Sequence, residues 1–300
     1  MLDICLAGTG GTVPLEHRWL ACCFVEMQGK ALLIDCGEGT QIALKKSKCK
    51  ISKLSTVLIT HFHADHVCGL AGLLLTLGNC GKTTGLTIVG ALGVAKIVDS
   101  LLAVAPFLPY PIEIIELSQT QPDILKIGDV QISSLPLNHG IPCLGYSITV
   151  HRKPVFNPEK ARALGVPKIY FRSLHEGNNV FINGKEIIPR MVLDKERMPL
   201  KMVYCTDSSP MGEMIDFAKL ADLFVCEGMY GDDAMKEKMK EKGHMVFSQA
   251  AGIAKQADVK ELWLTHFSPA LQNPEAFLPV AQAVFPNTVV AYDGIRKSIK

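Results

Sequence analysis

The segment Thr60-His61-Phe62-His63-Ala64-Asp65-His66 sets three imidazoles and one carboxylate within six consecutive positions. Imidazole and carboxylate without thiolate favour zinc, with manganese or iron as alternatives. The run follows Val57-Leu58-Ile59 and precedes a helical apolar pattern, so it marks a strand-to-helix turn. Side chains two apart at a strand end can point to one side, which gives His61 and His63 to a first ion. Asp65 and His66, at the turn into the helix, can then face a second. Three distant residues have the right types to complete the pair of sites. His139 in Asn138-His139-Gly140 joins the first, His266 in Thr265-His266-Phe267 joins the second, and Asp207 in Thr206-Asp207-Ser208 can bridge both through its two oxygens. Two such ions, roughly 3.5 to 4 Å apart, bring a water's pKa near neutrality and clamp the free oxygens of a phosphodiester. The chemistry this set suits is metal-assisted hydrolysis.

These residues are far apart in sequence, so elements must bring them together. Short β-type runs recur at Leu2 to Ala7, Ala31 to Ile34, Thr56 to Ile59, Leu86 to Val89, Val130 to Leu135, Met202 to Cys205, Leu223 to Cys226 and Leu262 to Leu264. Between them, Val67, Leu70, Ala71, Leu74 and Leu75 mark one helix face, and Ala250, Ala251, Ile253 and Ala254 mark another. Alternating strands and helices favour buried sheets covered by helices. His61, His139, Asp207 and His266 each follow a different strand, and the carboxyl ends of strands are where sites assemble in layered folds.

Composition sets the outer limits. With 300 residues, 48% hydrophobic and 20% charged, the chain can bury one sizeable layered domain. Its longest apolar stretches are broken well short of the roughly 18 residues a membrane span needs. Met1 to Ala7 runs straight into strand-like sequence with no basic head or cleavage site, so the expectation is a cytoplasmic protein without membrane attachment. Ten cysteines are scattered without a Cys-x-x-Cys pair and read as reduced core residues. Gly8-Thr9-Gly10-Gly11-Thr12-Val13 lacks the last glycine of a dinucleotide fingerprint and reads as a tight turn after a strand. Cys205, two residues before Asp207, is a lesser candidate ligand on the same strand.

The order His61 to His66, His139, Asp207, His266 resembles the ligand set of the metallo-β-lactamase superfamily. More narrowly, Gly8 to Pro14, Leu33-Ile34-Asp35-Cys36-Gly37-Glu38-Gly39-Thr40-Gln41, Ile59 to His66 and Leu264 to Pro269 are similar to the ribonuclease Z family over nearly the whole chain. The resemblance implies an αββα sandwich of two packed mixed sheets flanked by helices, formed as a single domain over residues 1–300. It implies two zinc ions and an endoribonuclease that cuts precursor tRNA at its 3′ end, leaving a 3′-hydroxyl. His244, in Lys242-Gly243-His244-Met245, resembles the family's additional catalytic histidine, with Glu227 placed to fix its tautomer and raise its pKa. Asp65 can orient or deprotonate the attacking water, or act as a plain ligand. Asp35 supports the metal loops from behind.

One segment breaks the alternation. Residues 151–201 hold 11 Lys or Arg against 5 Asp or Glu, in a chain whose total is only +2. The bland reading is a solvated face. By the resemblance, residues 152–198 form an inserted basic arm that grips tRNA by charge and shape, and the molecule is a homodimer. The segment lacks the Gly-Pro pair of that family, and Ser268-Pro269-Ala270-Leu271 departs from its usual Ser-Pro-Arg-Tyr. Another hydrolase of this fold, acting on small phosphodiesters or sulfate esters, is the alternative; a non-catalytic RNA-binding metal protein is a further one.

Overall fold

Cys5 and Ala7 face one side of the strand Leu2–Gly8 and Ile4 and Leu6 the other, yet all four are buried. A strand covered on both faces must lie between layers. The computed structural model, which describes residues 1–127 and 130–300, shows those layers. Strands β1 (Leu2–Gly8), β2 (Cys22–Met27), β3 (Lys30–Ile34), β4 (Leu54–Leu58), β5 (Leu86–Ala91) and β6 (Ile112–Leu117) are followed by β7 (Ile124–Ile127), β8 (Val130–Leu137) and β9 (Cys143–Arg152). A hairpin of β10 (Val180–Ile182) and β11 (Lys185–Ile187) precedes β12 (Arg197–Cys205), β13 (Leu223–Glu227), β14 (Leu262–Thr265), β15 (Thr288–Val290) and β16 (Ile295–Ile299). One seven-stranded sheet has the order β16-β1-β2-β3-β4-β5-β6, and a second the order β15-β14-β13-β12-β9-β8-β7. Both are mixed or carry mixed pairings: β3 to β6 run parallel and β1 to β3 antiparallel, while β12 to β15 run parallel and β7 pairs β8 antiparallel.

Each sheet buries one face under helices. Leu70, Leu73, Leu74 and Leu77 of Leu70–Asn79, with Val94 and Val98 of Val94–Leu102, pack on Cys5, Phe24, Leu33, Val57 and Ile88. Ala250, Ala251 and Ala254 of Phe247–Gln256 and Met214 of Glu213–Ala218 pack on Val203, Cys205, Phe224, Cys226, Leu262 and Leu264. The opposite strand faces, carrying Ile4, Leu6, Tyr146, Tyr204 and Trp263, are also buried. Two bonds tie the second sheet to the end of β4: Tyr146 Oη donates to the Ile59 carbonyl at 2.7 Å, and Leu144 N to that of Thr60 at 2.9 Å. The result is the αββα sandwich.

The single helix face read from Val67 to Leu75 is in fact two helices, Ala64–Val67 and Leu70–Asn79. The break has a cause in the backbone. Cys36 N donates to the His66 carbonyl at 2.8 Å and Gly69 N to that of Cys36 at 2.9 Å, so the 35–37 loop laces through the junction. A Cβ on Gly69 would sit 1.9 Å from the Gly37 carbonyl oxygen.

Residues Thr149–Leu200 form a compact unit of their own, set apart from Met1–Ile148 with Lys201–Lys300. Ala161, Val166, Leu174, Val180, Ile187 and Val192 make its small core. Asn157 caps its helix Pro158–Ala163, accepting from the backbone N–H groups of Glu159 and Lys160. Its apolar residues serve this local core, which is why the segment shows no sheet-like alternation.

Candidate metal centre

Strands β12, β13 and β14 are parallel and in level register, with Cys205 opposite Cys226 and Glu227 opposite Thr265. Asp207, Glu227 and His266 therefore emerge side by side at one edge. Asp207 and His266 turn sharply there, with φ of 53° and 58°. Aspartate and histidine enter this left-handed region more readily than branched residues, and such positions concentrate at functional sites. The turn after β4 brings His61 to His66 to the same edge, and the end of β8 brings His139.

Two groups of donors result. His63 Nδ1 lies 3.0 Å from His61 Nε2 and 3.3 Å from His139 Nε2. His66 Nε2 lies 3.2 Å from His266 Nε2, with Asp65 Oδ2 at 3.4 and 3.5 Å from the two. Asp207 divides its oxygens between them. Its Oδ2 is 3.8 Å from His61 Nε2 and 3.9 Å from His139 Nε2, and its Oδ1 is 3.4 Å from His66 Nε2 and 3.2 Å from His266 Nε2.

The outward ring nitrogens fix which tautomers are present. His66 Nδ1 donates to Asp35 Oδ2 at 2.9 Å. His139 Nδ1 donates to the Gly243 carbonyl at 3.1 Å. The Thr60 hydroxyl gives its proton to Asp35 and so accepts from His61 Nδ1 at 3.0 Å. In all three rings the Nε2 lone pair then faces inward. Lone pairs from separate strands aimed at one point, beside carboxylate oxygens, are an arrangement that a cation satisfies.

Electrostatics suit this donor set at His61 and Asp207; at His66 burial is outweighed by Asp207 and Asp35, which hold its pKa well above the ordinary value, a proton that a bound cation would replace. Burial, reinforced by neighbouring His66, pushes His61 down to about 2, so its imidazole is neutral. Burial works against ionising Asp207, but the facing His266 and His66 outweigh it and hold the carboxyl well below the usual range. Neutral imidazole and ionised carboxylate are the ligating forms.

His244 stands beside the two groups, its ring centre 5.1 Å from that of His139 and 5.9 Å from that of His266. Its Nδ1 donates to Glu227, at 3.1 Å from Oε2 and 3.3 Å from Oε1. Burial disfavours the imidazolium, yet the Glu227 charge and hydrogen bond prevail and the pKa is pushed up to about 9. Glu227 is fully buried and also accepts from the backbone N–H groups of Ser208 and Met245. Thr12, His63, Asp65, His139, Lys242 and His244 line an open cleft of about 440 Å³ over the centre.

His61, His63, Asp65, His66, His139, Asp207 and His266 thus lie in one constellation, with Asp35 and Glu227 behind it. Cys205 does not. Its side chain lies with Val203 in the hydrophobic cluster under the Phe247–Gln256 helix; β12 ends at Cys205, and the left-handed turn at Asp207, φ 53°, breaks the alternation that would otherwise have put the two on one side. Several contributors to the site carry no signal of their role in the sequence. Thr12 N donates to Asp65 Oδ2 at 2.7 Å, the Gly243 carbonyl orients His139, and Gly11 leaves room for the His266 ring, which a Cβ there would approach to 2.6 Å. The glycine-rich turn is therefore part of the site.

Residues 2–88 match the family model described as Anti-Pycsar protein Apyc1. Over 299 residues the sequence is 49% identical to ribonuclease Z of Clostridium kluyveri, covering 100% of this chain and 99% of that protein. The chain belongs to the ribonuclease Z family. It is also 48% identical to ribonuclease Z of Clostridium acetobutylicum over 298 residues, covering 98% of this chain and 96% of that one. Among solved structures, human tRNase Z, short form, superposes with a TM-score of 0.72 at 24% identity, covering 99% of both chains. The metallo-β-lactamase fold protein YhfI from Bacillus subtilis gives 0.70 at 22% identity, covering 99% and 98%. These two likenesses establish the metallo-β-lactamase fold, as the motifs implied.

Proposed function

We propose that this ribonuclease Z family member is a dinuclear-zinc endoribonuclease that hydrolyses the phosphodiester at the 3′ end of precursor tRNA and leaves a 3′-hydroxyl on the tRNA. The observation that carries the reading is Asp207, whose two oxygens face two separate groups of imidazoles. His61, His63 and His139 would hold one ion and Asp65, His66 and His266 the other, with Asp207 between them. When bound, the ions supply Lewis acidity, making a water acidic near neutrality and offsetting phosphate charge. Manganese or iron would fit the same donors.

The chain's own residues do the rest. Asp65, fixed by the Thr12 N–H, orients the attacking water toward phosphorus. The departing 3′-oxygen is a poor leaving group as an alkoxide. His244, kept protonated by Glu227, donates the proton that lets it leave. The basic unit Thr149–Leu200 supplies cations for the body of the tRNA, whose phosphates reward charge and shape. A cytoplasmic setting is the one expected from the family resemblance; no helix among the described residues is long and apolar enough to cross a membrane. A homodimer is the assembly expected from the family resemblance.

A direct test compares precursor tRNA with a small chromogenic diester. Efficient cleavage of the precursor at one position supports the reading, and hydrolysis of the diester alone would assign the centre to a small-molecule hydrolase.

A further inference from the structure

Lys242 is the one lysine or arginine lining the metal cleft among the described residues. It also lines a second open cavity, of about 570 Å³, together with Asn138, Gly140, Ser209, Lys240 and Gln249. His139 belongs to both walls, so the two spaces adjoin. Glu237 and Glu241 lie on the second wall as well, so that cavity is no general sink for anions. Lys242 is exposed and forms no ion pair among the described residues.

Its backbone is pinned on both sides. Lys242 N and His244 N both donate to the Met239 carbonyl, at 3.1 and 2.9 Å, and the intervening Gly243 carbonyl is held by His139. The ammonium is thereby tethered two residues from the proton donor, at the junction of the two cavities. A small diester has nothing to place beyond the cleft, but an RNA strand must continue on both sides of the cut. The nucleotide whose 3′-oxygen departs lies on the side of His244, since that imidazolium protonates it. The strand leading to this nucleotide then runs past Lys242.

We infer that Lys242 is a positioning residue that holds the phosphate immediately 5′ of the nucleotide carrying the departing oxygen, with the second cavity receiving the strand upstream of the cut. The inference rests on the endoribonuclease reading above. A lysine serves here as a point charge on a flexible stem, reaching one phosphate without demanding an orientation.

The test uses three precursor RNAs: one unmodified, one with a neutral methylphosphonate at the linkage directly upstream of the cut, and one with it directly downstream. Wild type, Lys242→Met and Lys242→Arg are compared. Lys242→Met should raise KM for the unmodified precursor roughly 10-fold with kcat little changed, and lower the salt slope by about one contact. Lys242→Arg should restore most of the loss. The upstream methylphosphonate should penalise wild type by a similar factor and leave Lys242→Met unaffected, a coupling that a merely structural role would not produce. Equal KM and equal salt slopes for wild type and Lys242→Met overturn the inference, as does coupling to the downstream linkage instead. Wild type that fails to cut the unmodified precursor removes the endoribonuclease reading and this inference with it, an outcome distinct from either of those.

Discussion

Replacing Glu227 by Gln keeps the shape of the pair behind the centre and removes its charge. In the wild-type protein Glu227 accepts from His244 Nδ1 at 3.1 Å and pushes the imidazole up to about 9 against the effect of burial. Without that charge only the weaker effects of Asp207 and Asp65 oppose burial, so the pKa falls toward the ordinary histidine value of about 6.5. A donor that is protonated below about 9 is then protonated only below about 6.5, which at pH 8 leaves roughly 30-fold fewer active molecules. The assay is kcat against pH on precursor tRNA. The alkaline limb should move down in Glu227→Gln, and the loss should be small at pH 6. Stability should follow the same sign. A pKa raised on folding stabilises fully below the unfolded value of about 6.5 and loses that contribution as pH rises through about 9. The difference in Tm between wild type and variant should therefore narrow between those limits. An unmoved alkaline limb in Glu227→Gln would refute the assignment of His244 as the proton donor that Glu227 tunes.

Other expectations are simpler to check. Asp35→Asn loses the carboxylate that receives both His66 Nδ1 and the Thr60 hydroxyl, and metal affinity in a competition titration should fall about 10- to 100-fold. Val246, which begins the helix Phe247–Gln256, has no side-chain acceptor although Gln249 Oε1 already receives its N–H. Val246→Thr would complete the reciprocal cap and should raise stability by about 1 kcal/mol in urea unfolding, unless loss of apolar packing at this buried site cancels it, which an unchanged midpoint would reveal. Deleting residues 152–198 removes ten Lys or Arg and none of the proposed ligands. It should weaken precursor-tRNA binding and flatten its salt dependence while a small diester is still hydrolysed; equal binding across a salt series would make the charge a solvated face.

The candidate centre is legible because its proposed ligands are side chains whose types are rare in combination, as in His61 to His66. Its supports are not, because Thr12 N–H and the Gly243 carbonyl are backbone groups that every sequence possesses. Gly11 could be read as a turn, but only the fold shows the His266 ring packed against it. Strand reading followed the same divide. The apolar runs of β12, β13 and β14 stood out, whereas β9, with Gly145 and the buried polar residues Ser147 and Thr149, did not. Edge strand β6, Ile112–Leu117, follows Pro106, Pro109 and Pro111 and breaks its alternation at Ile114-Ile115, so it carries no clear strand pattern either. The helix break at Gly69 depends on a loop from residues 35–37, a tertiary contact that no local pattern records.

Cutting of precursor tRNA should require two ions shared through Asp207. It is tested most directly by stripping the protein with chelator, restoring zinc stepwise, and following an end-labelled precursor at each step. The stripped protein should not cleave, and full activity should return at about two ions per chain, with a single product ending in a 3′-hydroxyl. Undiminished cleavage by the stripped protein, or full activity at one ion per chain, would contradict it.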